Sequence, residues 1–184
     1  ANDRAVVKQF LDNGGSLFLS GQDVAWDLSE NADNQDISFL NEYLKTDFVA
    51  DNAVKNEIFG IENDPISDGL SLNFYQEKRD ISQQFPDIIS PLGGAESILK
   101  YNTGGTGAIR YEGDFRIVFF GFGGFESVTD EQTRKILMSR IIDFLDGIEI
   151  DHKPLKDTET TIGEYLVDLK ATATNESVSS STLF

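Results

Sequence analysis

The chain has 184 residues, no cysteine, and 15 Lys and Arg against 32 Asp and Glu, for a formal net charge of −17 at pH 7. That surplus of carboxylates repels a phosphate backbone or an anionic bilayer, which argues against nucleic acid and membranes as partners. The missing thiols remove disulfides, thiolate metal sites and a cysteine nucleophile together. Hydrophobic residues at 39% and 14 Phe suit a packed sheet, and the longest strongly apolar run, Ile117 to Phe122, falls far short of the ~20 residues of a spanning helix.

In chain order, Val6, Val7, Phe10 and Leu11 recur at helical spacing over Asp3–Asn13, and Gly14-Gly15 supply the stop. Ser16–Ser20 is a short apolar run without alternation, as in a buried parallel strand, and Gly21 ends it. A short helix over Val24–Leu28, a polar loop over Ser29–Asp36 and a helix over Ile37–Lys45 follow. Asp64-Pro65 and Asp68-Gly69 are turn signals flanking Ile66, and Leu70, Leu72 and Phe74 alternate like a half-buried strand. Ile98–Tyr101, Ala108–Tyr111 and Arg116–Gly121 read as an antiparallel meander, its first turn made by Asn102 to Gly107. Thr129 is the expected N-cap of a helix over Asp130–Asp146 with Gly147 as its stop. Beyond Pro154 the composition turns to Asp, Glu, Ser and Thr, with one strand candidate at Tyr165–Ala171. The expected division is an α/β domain over 1–150 and, over 151–184, a linker with the first strand of a following β-sandwich module.

Open α/β sheets bind ligands at the carboxyl ends of their strands, which singles out Ser20, Gln22, Asp23 and Trp26 after the first strand and Glu126 after the last. Ser20 lies in Phe18-Leu19-Ser20-Gly21-Gln22, half of a nucleophile elbow, and the single histidine, His152, stands in the linker, so no catalytic residue is expected. Gly104-Gly105-Thr106-Gly107 lacks the Lys-Ser/Thr of a phosphate loop and reads as a turn. Asp23, Asp27 and Glu126 are the hard-oxygen set for a cation, but EF-hand spacing is missing, so neither a metal site nor a cofactor is expected.

Phe10 to Asp23, Asp64-Pro65-Ile66-Ser67-Asp68-Gly69-Leu70 and Arg116 to Glu126, taken in order, resemble the class I glutamine amidotransferase-like domain of large secreted bacterial proteins. The resemblance implies a flavodoxin-like α/β fold with a partly parallel sheet, flanking helices and an antiparallel C-terminal meander. It also implies that the first β-α-β unit is lacking, leaving the strand Leu17–Ser20 without a neighbour. Active members carry a cysteine where this chain has Gly21-Gln22, and a histidine closely followed by glutamate where it has Gly124-Phe125-Glu126. The expected role is therefore a non-catalytic accessory or binding domain of a secreted or cell-surface multidomain protein, such as a protease. Its expected partners are the neighbouring modules, and a second chain or copy that completes the sheet. The competing expectation is a hydrolase working from a Ser20/Asp23/Glu126 crevice. Glutaminase and cysteine-protease assays of the chain are expected to show no turnover; turnover abolished by Ser20→Ala overturns the non-catalytic reading.

Overall fold

The computed structural model describes residues 3–51, 53, 57–75, 85–123, 125–152 and 169–173, without the side chains of Glu126, 148–152 and 169–173. Helix α1 (Asp3–Asp12) closes as its glycines require: Gly14, at φ 81°, and Gly15 donate to the carbonyls of Leu11 and Phe10 at 2.8 and 3.0 Å. Strand β1 (Ser16–Ser20) and helix α2 (Val24–Glu30) follow. The polar loop expected over Ser29–Asp36 is shorter, because Asp33 and Asp36 form a reciprocal capping box that starts α3 (Asn34–Ser38) inside it. In place of one helix over Ile37–Lys45, α3 continues into a π-helical turn, Phe39–Tyr43.

The remaining strands are β2 (Thr46–Ala50), β3 (Glu57–Gly60), β4 (Ser71–Asn73), β5 (Ile88–Pro91), β6 (Glu96–Tyr101), β7 (Thr106–Glu112) and β8 (Arg116–Phe120). A 3-10 turn at Phe125–Ser127 leads to α4 (Glu131–Asp146), whose N-cap is Asp130 rather than Thr129: the Asp130 carboxylate accepts the Thr133 N–H at 2.6 Å. The chain divides into two compact units, Ala1–Leu145 and Asp146–Phe184. In the second, β9 (Ile148–His152) pairs antiparallel with β10 (Leu169–Ala173). Most of the strand expected at Tyr165–Ala171 lies outside the described residues.

The first unit is mixed α/β. Its sheet runs β1-β8-β7-β6-β3-β4, with β5 bonded to both β2 and β7. Among the described strands only β1 and β8 are parallel, and every other pairing is antiparallel. The expected meander is present as β6-β7-β8, but antiparallel pairing reaches much further than expected. Tight turns such as Tyr101–Gly105, with Gly104 and Gly105 at positive φ, join only antiparallel neighbours, whereas a parallel pair needs a long crossover.

β8 explains why the sheet needs helices on both faces. Ile117 and Phe119 point into a cluster with Leu11, Ala25, Leu40 and Leu44, while Val118 and Phe120 point into another with Leu137 and Ile141. All four β8 side chains are fully buried, so the strand reads as an unbroken apolar run. A second anchor is the 61–70 loop. The Asp64 carboxylate accepts the N–H groups of Ile66 and Ser67 and the Ser67 hydroxyl at 2.9–3.0 Å, and pairs with Arg110 Nε at 2.7 Å. Arg140 of α4 donates to the loop carbonyls of Ile66 and Asp68. These bonds seat Ile66 in the core, and Gly60 leaves room for the loop: a Cβ there would fall 1.8 Å from the Ser67 carbonyl oxygen.

Removing Asp64 leaves the Arg110 guanidinium with Glu96 as its remaining carboxylate and strands two buried N–H groups. Asp64→Ala is expected to cost about 3–5 kcal/mol, measured as the change in urea unfolding free energy.

Candidate functional site

The loops leaving β1 and β8 meet backbone to backbone. Gly21 donates to the Phe120 carbonyl at 3.2 Å, and a Cβ on Gly123 would stand 3.2 Å from the Gln22 nitrogen. The Ser20 hydroxyl donates to the Phe122 carbonyl at 2.7 Å, which spends its proton on holding the two strand ends together. Gln22 accepts the Phe85 N–H at 2.9 Å, and Trp26 contributes its backbone N–H rather than its ring. The side chains of Glu126 and His152 lie outside the described residues.

Asp23 does come to a shared site, with Asp51 and Asp87 rather than Asp27 among the described side chains. Carboxylate oxygens of Asp23, Asp51 and Asp87 all lie within 4.8 Å of one another. The topology explains the meeting. Asp51 follows β2 and Asp87 precedes β5, and the antiparallel register Ala50↔Ile88 brings those ends together. Asp87 in turn donates its N–H to the Gly121 carbonyl at 2.6 Å, beside the end of β8, and a Cβ on Gly121 would stand 2.9 Å from the Asp87 carbonyl oxygen. Asp23 sits at the N-cap position of α2 with φ 62°, a left-handed conformation uncommon outside glycine, and its side chain makes no capping bond. The capping carboxylate comes from Asp87, whose Oδ2 accepts from Ala25 and Trp26 at 3.0 and 3.4 Å.

Asp87 is fully buried, and its Oδ1 has no hydrogen-bond donor among the described residues. Burial pushes its carboxyl up to about 7; the Trp26 and Ala25 N–H groups oppose that rise, and the charges of Asp23 and Asp51 add to it. Asp23 is raised as well, first by partial burial and then by Asp51 and Asp27. The Tyr101 hydroxyl donates to the Asp87 carbonyl at 3.0 Å, and its own ionisation is suppressed by burial and by that neighbouring acid.

The strand-end rule found Asp23 but not Asp51 or Asp87. Both flank strands of four or five residues whose pattern does not stand out, and only an acid abutting the apolar pair Ile88-Ile89 marks the second. No family model matches the chain, and neither a curated protein nor a solved structure matches it.

A group that binds its proton more tightly when folded stabilises the fold at low pH and loses that contribution as pH rises through its folded value. Between about pH 4 and pH 7 the cation-free chain is expected to lose stability on the order of 4 kcal/mol through Asp87, about three pH units at 1.36 kcal/mol each. Urea unfolding at pH 4 and pH 7.5 measures the change, and Asp87→Asn is expected to remove most of it.

Proposed function

We propose that this chain is a non-catalytic docking module, an accessory domain of a secreted multidomain protein, which takes an added strand along the open edge of β1. The observation that carries the reading is that edge. β1 stands at the end of the sheet order and bonds only to β8 among the described strands. Gly15 O and Gly21 N face β8, so the alternation of a strand turns the N–H and C=O groups of Ser16, Phe18 and Ser20 outward.

Edge strands that stay unpartnered are blunted by charge, proline, a bulge or very short length. Ser16-Leu17-Phe18-Leu19-Ser20 has no charge and no proline, and its register with β8 is unbroken. The opposite edge, β4, is three residues long. The helices that cover β1 on its two faces carry exposed apolar groups. On one, Val6 and Phe10 of α1 are 61% and 50% exposed, with the Phe10 ring against Gly15. On the other, the Ser16 hydroxyl donates to the Leu145 carbonyl at 2.8 Å, which brings in the end of α4 with Ile142, 48% exposed. A strand laid beside β1 would be covered from both sides. The flavodoxin-like reading agrees with this, since in doubly wound sheets such a strand is interior. In the parent protein the strand would come from a neighbouring module or another chain; in the chain by itself a second copy would supply it.

Ser20 supports docking rather than hydrolysis, because its hydroxyl proton is held by the Phe122 carbonyl. Sedimentation of the chain at rising concentration is expected to show association, with slowed exchange of the Ser16, Phe18 and Ser20 amides. Val6→Lys with Phe10→Lys, on exposed positions of α1, is expected to weaken that association at least about tenfold, a loss of roughly 1.4 kcal/mol. A monomer at high concentration with fast-exchanging amides at those positions sinks the reading.

A further inference from the structure

We propose that Asp23, Asp51 and Asp87 together bind one divalent cation of the Ca²⁺ class, independently of what docks at the β1 edge. Three carboxylates on separate segments converge, and no Lys or Arg pairs with Asp23 or Asp87 among the described ion pairs. Acidic clusters are common on a surface this negative, so the cluster alone decides nothing. What points to a ligand is Asp87. The residue is fully buried, its Oδ2 is engaged by the Ala25 and Trp26 N–H groups, and its Oδ1 has no donor among the described residues. Buried polar atoms in native folds are almost always satisfied. Oxygens of two further carboxylates lie within 4.8 Å of an oxygen of Asp87, and a carboxylate donates no hydrogen bond when ionised, so a cation is the partner that suits Asp87 there.

The donor set selects the ion. Three hard oxygens with no nitrogen or sulfur favour Ca²⁺ or Mg²⁺ over Zn²⁺. Opposite ligands of Ca²⁺ stand about 4.8 Å apart, twice a ~2.4 Å bond, so oxygens no further than 4.8 Å from one another are within reach of a single ion. Mg²⁺ binds at ~2.1 Å, demands near-ideal octahedral positions and gives up its water reluctantly. Bound there, Ca²⁺ would join the β1–α2 turn, the end of β2 and the start of β5 through one centre. Asp23 explains itself in the same way: its left-handed backbone places at the N-cap position a carboxylate that does no capping.

Calorimetric titration of the chelator-treated chain with CaCl₂ tests this, with MgCl₂ as comparison and thermal unfolding as a second readout. The expected result is one saturable Ca²⁺ site with Kd below about 100 μM, weaker Mg²⁺ binding, and a midpoint raised by Ca²⁺. Asp51→Asn and Asp87→Asn are expected to weaken Ca²⁺ at least about tenfold, while Asp27→Asn leaves it unchanged. Asp87→Asn is close in shape and removes a buried charge, so its cation-free midpoint is expected to rise even as the Ca²⁺ response disappears; misfolding gives the opposite sign. No saturable heat up to about 1 mM, or equal Ca²⁺ stabilisation of the wild type and Asp87→Asn, overturns the proposal.

Discussion

Asp87 is the residue on which the strand-end region depends. Its N–H reaches Gly121 beyond β8, its carbonyl receives the Tyr101 hydroxyl, and one carboxylate oxygen caps α2. Four elements are registered through a single buried acid. Each of those bonds satisfies a group that would otherwise lie unpaired in the interior at a cost of about 1–3 kcal/mol, so no part of the arrangement is free to shift alone. The other carboxylate oxygen has no hydrogen-bond donor among the described residues, and the carboxylates of Asp23 and Asp51 lie close to that of Asp87.

Around that knot the sheet is organised by β8. A strand apolar on both faces demands cover on both, and α1, α2 and the Phe39–Tyr43 turn supply one layer while α4 supplies the other. The same requirement then exposes an imbalance at β1. Its side chains join both layers, Leu17 and Leu19 on one and Phe18 on the other, as those of an interior strand would, yet its outer backbone groups have no neighbouring strand among the described residues. Side-chain cover and backbone pairing disagree about whether β1 is interior, and the docking role proposed for that edge would resolve the conflict.

Both functional proposals arise at β1 but rest on different physics. The edge is apolar and directional, offering main-chain bonds at Ser16, Phe18 and Ser20. The carboxylates beyond its end are electrostatic. Glycine makes their proximity possible, because a side chain at Gly121 would press on the Asp87 carbonyl and one at Gly123 on the Gln22 backbone. The glycines after β8 thus act by letting loops approach closely, with no phosphate or oxyanion role required.

Elements that carry their own signal were legible in the residues alone: α1 with its glycine stop, β1, the β6-β7-β8 meander with its glycine turn, and α4 with Gly147 behind it. Their periodicity and caps are local, so local reading suffices. The exclusion of thiol chemistry was legible too, since a chain without cysteine offers no thiolate nucleophile or ligand. Pairing and convergence were not. β2, β3 and β5 are four or five residues long and acquire their strand character from the neighbours they bond, and the antiparallel extent of the sheet follows from those pairings. Asp23 was found because it follows an obvious strand. Its association with Asp51 and Asp87, 28 and 64 positions further along the chain, is set by the β2–β5 register and by the Asp87–Gly121 bond. Sequence determines which side chains exist to do chemistry; only the tertiary structure decided which of them share a site, because long-range backbone pairing, invisible to any local pattern, brings them within reach.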